Sequence, residues 1–442
     1  MKLPAIKGFD EEALKKYFKN TGLLMFGRVG SAAIKMLISI KVANYLLSYN
    51  NGILNTSTSY IFLFASIAGL GLDSFIVKTL HQSPQNRDKI LGTAFTLKAI
   101  AGLLCIPAIF LAWQLFPLSD VPYLIIFILS FSGLFQSFTV IDSYFQSEVQ
   151  SKYIMQVQIL GNLLSAGIKL LLIVGKASLL YFVAAFTFDI LLLSFGYIFT
   201  YQRKGRSIFK WSYDRQLAKH LLHLSWPLII SGIMVSIYMK IDSIMLKEIL
   251  GHKEGTEASG AYATVVSFSE ALNFMPVAIV TSLFPAILNA KRDDVDRYQK
   301  RLQNLFDLMV WLSLAFAIFI TIAAPYIYKF FKPEYASAAP VLSVHVWGSI
   351  FVFLGVASGQ FLIAEGYNKL TFVRTGLGAV INIVLNFILI PKMGMMGTAI
   401  ATVIAYFSST FLIILIPKTR KQGLMMLKSL LLISTFQKLL KN

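Results

Sequence analysis

The sequence predicts an all-α integral membrane protein with about 12 transmembrane helices, arranged as two sets of six. Three observations carry that prediction: an apolar composition, a succession of apolar segments of bilayer-spanning length, and a one-sided distribution of lysine and arginine between them. Of the 442 residues, 56% are hydrophobic and only 14% charged, with a mean hydropathy of +0.69. Soluble globular chains are nearer half apolar and a quarter charged. The net charge of +19 would also suit a nucleic-acid binder, but the sequence holds no basic, aromatic-studded soluble domain to bind one. No nucleic acid is therefore expected as a partner. The single cysteine, Cys105, sits in an apolar run, can form no intrachain disulfide and reads as an inert core residue.

A helix that crosses the hydrocarbon needs about 20 mostly apolar residues. Such stretches fall near 22–47, 54–77, 90–113, 122–145, 153–174 and 178–200. A second set falls near 221–246, 260–288, 301–328, 337–363, 370–390 and 395–416. Turn chemistry marks breaks at Asn50-Asn51-Gly52, Ser83-Pro84, Phe116-Pro117, Pro391 and Met393-Gly394. With the N-terminus on the cytoplasmic side, loops on that side hold 28 of the 40 lysines and arginines, and loops on the other side hold six. Cationic loops stay inside, so both termini are expected to be cytoplasmic and the number of spans even.

The organisation follows in order. Residues 1–20 form a cytoplasmic amphipathic segment, 21–200 an N-lobe with spans 1–6, and 201–220 a basic cytoplasmic linker. Residues 221–416 form a C-lobe with spans 7–12, and 417–442 a cytoplasmic or interfacial tail. Six spans plus six suit a transporter built from two related bundles around a midplane site. The N-terminal segment opens a helix with Asp10-Glu11-Glu12, favourable at a helix N-terminus. It makes a poor secretory h-region and has no convincing cleavage site, so it is expected to be retained. Residues 424–440 are apolar but short, carry Lys428 and Lys438, and read as an interfacial helix on an anionic leaflet. A spanning tail, the alternative, would place the C-terminus outside.

Six cations lie within the spans: Arg28, Lys35, Lys41, Lys98, Lys169 and Lys240. A charge at membrane depth costs at least ~2.5 kcal/mol, so each must face a cavity, a partner or a ligand. Arg28 and Lys35 are seven apart, hence on nearly one helical face, with Ala32 and Ser39 completing the stripe. At 1.5 Å per residue, Lys35 lies roughly 20 Å deep, too far for easy snorkelling. Lys41 and Lys240 lie nearer the outer interface and can snorkel. Lys169 follows Asn162 and Ser165 on one face, which either lines a cavity or joins helices. For each cation, a structural ion pair with an acid on a neighbouring span stands beside the cavity reading. The acids available are Asp189 and Glu270 well inside spans, with Asp73, Asp142, Asp242 and Asp307 closer to span ends. Such carboxylates either pair with the lysines or carry protons in an ion-coupled cycle. Asn382, Asn386 and Gln360 read as polar groups that stabilise helix packing.

The run from Gly161 to Lys169 superficially resembles a phosphate loop but lacks the spacing of one and sits inside a span. The sequence has no HExxH motif, no paired cysteines and no clustered histidines. The chain is therefore not expected to be an enzyme, nor to hold a metal or other cofactor.

Several runs resemble the bacterial polysaccharide-biosynthesis flippases, which move lipid-linked oligosaccharides such as O-antigen repeat units. The first runs are Asn20-Thr-Gly, Phe26-Gly-Arg28 and Gly69-Leu-Gly-Leu-Asp73. In the second half, Ser225-Trp-Pro-Leu-Ile-Ile-Ser-Gly232 and Tyr238-Met-Lys-Ile-Asp242-Ser-Ile-Met-Leu246 are similar to that family's seventh span. Ala261-Tyr-Ala, Ser269-Glu270, Pro276 and Ser282-Leu-Phe-Pro285 follow, and Gly376 through Asn382, Asn386, Pro391 and Gly397 are similar to the closing spans. The resemblance covers about residues 20–416 and rests on the order and spacing of the pieces together.

It implies the fold of the multidrug/oligosaccharidyl-lipid/polysaccharide exporters (MATE-like): two six-helix lobes forming a V around a central cavity. It further implies transfer of a polyprenyl-diphosphate-linked oligosaccharide from the cytoplasmic to the periplasmic leaflet of the bacterial inner membrane, with a polysaccharide polymerase or ligase complex as a further partner. A cationic cavity is a family trait, matched here by Arg28 and Lys35. Proton, sodium and membrane-potential coupling are all compatible with it. The alternatives are a drug/cation antiporter of the same fold, a membrane-embedded assembly enzyme, and a scaffold. The first should be rich in acids and aromatics at midspan, the second should carry an acid/base constellation and a sizeable outer loop, and the third has no need of buried cations.

Overall fold

The computed structural model describes residues 11–439 except Ser119. Side chains are described from Gly30 onward, apart from Ala33, Ser282, Pro285, Ala286, Asn289, 291–293, Asn368 and 438–439. The side chains of Arg28, of the amphipathic N-terminal segment and of Lys438 lie outside the described residues. Every regular element among those described is helical.

In chain order the helices are α1 (Glu11–Gly69), α2 (Asp73–Gln82), α3 (Arg87–Leu115), α4 (Tyr123–Ser130), α5 (Ser132–Phe135), α6 (Val140–Ser147), α7 (Ser151–Val174) and α8 (Leu179–Arg203). There follow α9 (Arg215–Leu250), α10 (His252–Ser269), α11 (Phe274–Asp293), α12 (Val295–Ile327), α13 (Ala338–His345), α14 (Gly348–Ala364), α15 (Asn368–Phe411), α16 (Arg420–Leu430) and α17 (Ile433–Leu439).

Ten stretches of the described chain are long and apolar enough to cross a bilayer. Two of them, Gly30–Gln82 and Lys369–Ile414, run to 53 and 46 residues. Straight helices of those lengths would measure about 80 and 70 Å, more than twice the hydrocarbon thickness. Each is broken by a residue outside helical geometry, Leu47 (φ 64°) in α1 and Gly394 (φ 53°) in α15. Counting two crossings in each, the ten stretches supply the 12 spans expected.

Gly394 breaks the chain where the sequence signal stands. The first break does not: residues 48–52 remain helical and the turn falls at Leu47, ahead of Asn50-Asn51-Gly52. Packing against α10 explains the shift. A Cβ on Gly52 would stand 1.8 Å from the Thr256 carbonyl oxygen, and one on Gly260 1.9 Å from that of Ser48. Asn51 Nδ2 donates to the Gly260 carbonyl at 2.8 Å. Asparagine and glycine serve a close helix contact here, of the kind small residues permit in membranes.

The chain divides into two compact units, one comprising residues up to 46 with 53–240, the other 47–52 with 241 onward. The division falls inside α9, between Lys240 and Ile241, and not in the basic linker. In the first unit, Ser66 and Ser236 share a hydroxyl hydrogen bond of 2.7 Å, which ties this part of α9 to α1. The first unit's core gathers Leu72, just ahead of α2, Ile76 of α2, Leu91 of α3, Phe145 of α6 and Tyr201 of α8. The second unit's core gathers Phe306 and Met309 of α12, Phe353 and Leu354 of α14, and Met426 of α16.

The tail differs from the single interfacial helix expected over 424–440. Leu432 (φ 58°) separates α16 from α17, which have 11 and 7 residues, too short to span. Both are fastened to α12. The buried Asp307 carboxylate accepts from Gln303 Nε2 (3.1 Å), Ser429 Oγ (2.6 Å) and Ser434 Oγ. Trp311 Nε1 donates to Thr435 Oγ1 at 3.2 Å.

Candidate functional site

The intramembrane charges fall into separate clusters, each within one unit. In the first unit, Lys169 of α7 and Asp189 of α8 form an ion pair at 2.5 Å, and Lys169 Nζ also donates to Ser165 Oγ one turn back (3.0 Å). The pair is only partly enclosed, with side chains 21% and 26% exposed. Lys35 of α1 is exposed and lies within electrostatic range of both partners. Among the described residues, two ammonium groups and one carboxylate act on one another here, an excess of one positive charge.

Lys98 of α3 is differently placed. It is 1% exposed, paired with Asp73 at the start of α2, and donates to Thr139 Oγ1 at 3.0 Å. Thr139 ends a 3₁₀ turn, Gln136–Thr139, that interrupts the fourth span. Lys41 is exposed, and Lys240 sits 5.5 Å from the ring centre of Phe62, a cation–π contact.

In the second unit, Asp242 is 5% exposed and hydrogen-bonded by neutral groups only. Thr402 Oγ1 donates at 2.5 Å, Asn386 Nδ2 at 2.7 Å and Tyr262 Oη at 3.2 Å. Asn386 Nδ2 also reaches Asn382 Oδ1 at 3.2 Å. Among the described residues, no lysine or arginine stands within ion-pair distance of Asp242, although Lys240 is two residues away on the same helix. The Asn386 Oδ1 and Asn382 Nδ2 atoms are buried and make no hydrogen bond to any described residue. Glu270, after α10, is half-buried and acts electrostatically on Tyr262. Such a constellation keeps a carboxylate hydrogen-bonded without neutralising it, and leaves oxygen ligands beside it.

Sequence reasoning named both sets of acids and lysines but not Thr402 or Tyr262, and assigned Asn382 and Asn386 to helix packing. A signal exists: Thr398 and Thr402 are four apart, like Asn382 and Asn386, so each pair marks one polar helix face. Two of the cations counted above as loop charges are buried: Lys247, one of the six on the outer side, at 0% exposed, and Arg374, one of the 28 on the cytoplasmic side, at 8%. Arg374 reaches from α15 to the Gly355 carbonyl (2.8 Å) and Ser358 Oγ (3.2 Å) of α14. Among the described residues, no group of three or more His, Cys, Asp or Glu side chains stands ready to hold a metal ion.

This helical architecture is that of the multidrug/oligosaccharidyl-lipid/polysaccharide exporter superfamily. An inward-facing multidrug-resistance MATE transporter superposes with a TM-score of 0.72 at 15% identity, covering 92% of this chain and 99% of that one. The lipid II flippase MurJ, in an inward closed conformation, superposes with a TM-score of 0.71 at 17% identity, covering 93% and 92%. A Pyrococcus furiosus superfamily transporter, described as having a binding pocket of reversed polarity, gives 0.63 at 14% identity over 96% and 99%.

The polysaccharide biosynthesis protein model matches residues 17–291, and the MatE model residues 227–388. The chain belongs to the polysaccharide biosynthesis protein family. Among curated relatives, the capsular polysaccharide biosynthesis protein CapF of Staphylococcus aureus is 23% identical over 88% of this chain and 96% of its own. The uncharacterized membrane protein YabM of Bacillus subtilis is 26% identical over 43% of this chain. That match spans 37% of the relative's length, and one to a Methanocaldococcus jannaschii membrane protein spans 15%.

Proposed function

We propose that the protein is a flippase that moves a polyprenyl-diphosphate-linked oligosaccharide, a surface-polysaccharide repeat unit, from the cytoplasmic to the periplasmic leaflet by alternating access. The observation that carries this reading is the net-positive cluster of Lys35, Lys169 and Asp189 at membrane depth. A diphosphate does not cross roughly 30 Å of hydrocarbon unaided. Ammonium groups at membrane depth offer it charge-assisted hydrogen bonds. An organic-cation antiporter would need the opposite balance of charge. Asp189 serves as the resident counter-ion of Lys169, and a phosphate takes its place during turnover. Binding stays modest in each state, since a site that favours one state too strongly traps it.

In the second unit, Asp242 is proposed to carry the exchangeable cation, a proton or sodium ion, that couples turnover to a gradient. Its donors from Tyr262, Asn386 and Thr402 hold it in place without cancelling its charge. The excess of lysine and arginine in alternate loops supports an inner-membrane location with both termini cytoplasmic.

The test is leaflet transfer in proteoliposomes. A fluorescent polyprenyl-diphosphate oligosaccharide is supplied, and its exposure is read with an impermeant quencher, with and without pH or sodium gradients. Wild type is expected to transfer it and a folded Lys35→Ala variant to lose at least about tenfold in rate. Equal transfer by both proteins removes Lys35 from the path. No transfer by folded wild type under any gradient, with export of an organic cation instead, overturns the reading.

A further inference from the structure

The docked tail creates a cavity of about 450 Å³ between the first turns of α12 and the helix α16. Its lining combines two chemistries. Lys300 of α12 and Lys421 and Lys428 of α16 all line it. None of the three has a carboxylate partner among the described residues. Three like charges along one cavity give it a positive potential that attracts an anion. Apart from Gln299 and Gln303 the rest of the wall is apolar, and part of it is exposed: Leu424 is 42%, Leu431 57% and Ile433 39% accessible. Phe436, one turn further along α17, is 61% accessible.

A small soluble anion would answer the lysines and leave that apolar wall wet. A zwitterionic lipid would cover the wall and leave net positive charge unanswered. An anionic head carried on acyl chains satisfies both. We propose that this cavity is a binding site for an anionic phospholipid of the surrounding leaflet. Its phosphate lies among Lys300, Lys421 and Lys428, and its chains lie along Leu424, Leu431 and Ile433. Basic pockets beside membrane helices at the cytoplasmic surface recognise phospholipid heads in this manner.

The bound lipid has a mechanical role as well. It bridges α12 to α16, two elements otherwise joined near this level by Gln303 Nε2, which donates to the Met425 carbonyl (3.0 Å) and Ser429 Oγ (2.6 Å), and by Ser429 Oγ, which donates to the Asp307 carboxylate (2.6 Å). Occupancy therefore fastens the tail more firmly. This cavity is separate from the transport path, since none of its residues belongs to the charge clusters proposed to handle substrate or coupling ion.

The experiment uses the full-length protein in detergent with added phosphatidylglycerol or phosphatidylcholine. Retained lipid is counted by native mass spectrometry, and the unfolding midpoint is followed in parallel. The comparison protein carries Lys300→Gln, Lys421→Gln and Lys428→Gln, all exposed positions at which glutamine leaves packing intact. Wild type is expected to retain phosphatidylglycerol at least about tenfold more tightly than the triple variant and to gain stability from it, with no such difference for phosphatidylcholine. Equal retention by both proteins overturns the proposal. So does an equal stability gain from inorganic phosphate alone, which would mark a simple anion site. Displacement of phosphatidylglycerol by polyprenyl phosphate at equal concentration would make this a substrate entry point and would also overturn it.

Discussion

Thr402 Oγ1 lies 2.5 Å from Asp242 Oδ2, a hydrogen bond that joins residues 160 positions apart. Tyr262 of α10 and Asn386, which precedes the Gly394 break in α15, donate to the same carboxyl group. Asp242 is thus held in one geometry by three hydrogen bonds. Thr402→Val keeps the side chain's shape and removes one donor to a buried charge. It is expected to lower stability by about 1.5–3 kcal/mol, the usual worth of a hydrogen bond to an ionised group. Asp242→Asn removes the charge and should leave a folded protein whose transfer no longer responds to pH or sodium gradients. Chemical unfolding in detergent checks the first expectation and gradient-driven transfer the second. A gradient response undiminished in Asp242→Asn would dismiss Asp242 as the coupling group.

Lys169 and Asp189 can be tested by a double-mutant cycle. Each side chain is about a quarter exposed or less, so solvent screens part of the attraction and neither orphan is fully desolvated. A coupling of about 0.5–3 kcal/mol is expected between Lys169→Met and Asp189→Asn. The functional effects should diverge. Lys169→Met weakens phosphate binding, whereas Asp189→Asn frees the ammonium, tightens binding and slows release. Binding of inorganic pyrophosphate to the purified variants separates the two. Equal weakening by both substitutions would reduce the pair to a structural strut.

The spans were legible because hydropathy and loop charge report on the bilayer directly, whatever the neighbouring helices are. The break at Gly394 was legible for the same local reason. The break at Leu47 was not, since Gly52 and Asn51 are committed to a contact with Gly260 of α10, and that partner is invisible in the local sequence. The candidate site divides likewise. Buried charges announce themselves against an apolar background, so Lys169, Asp189 and Asp242 stood out. Which acid meets which lysine depends on packing. Thr402 and Tyr262 resemble ordinary span residues until the fold brings them to Asp242. The tail was misread as one helix because nothing in residues 424–440 reveals that Ser429 and Ser434 answer Asp307.

Asp214 supplies a pH-dependent prediction outside the membrane. It precedes α9, accepts a hydrogen bond from the Leu217 N–H at 2.6 Å, and pairs with Lys89 at 2.6 Å. The backbone donor first, and Lys89 second, hold its carboxyl below the ordinary range. A carboxylate whose pKa is depressed on folding contributes stability above its unfolded pKa, near ~4, and loses it as pH falls through the folded value. Asp214→Ala should therefore lower the unfolding midpoint at pH 7, and its deficit should shrink as pH drops below about 4. Asp214→Asn, which can still cap the helix, should fall between the two. A deficit constant from pH 7 to 3 would rule out this linkage.

Lys98 and Asp73 form an unequal pair, since the ammonium side chain is 1% exposed and the carboxylate side chain 63% exposed. Removing one partner strands the other, and the penalty depends on which is left without water. Lys98→Met strands Asp73, which water can solvate, and places an apolar chain in an apolar site. Asp73→Asn strands a buried ammonium whose other hydrogen bond in the structure is to Thr139 Oγ1. The second substitution should therefore be the more damaging, by roughly 1–3 kcal/mol, although it changes fewer atoms. Unfolding midpoints of the two single variants decide the matter. The double variant Asp73→Asn with Lys98→Met should recover much of the loss, because replacing a buried pair with neutral groups is often neutral or better. If Lys98→Met proved the worse of the two, the pairing would have to matter through Asp73 at the start of α2, where a negative charge also favours the helix N-terminus.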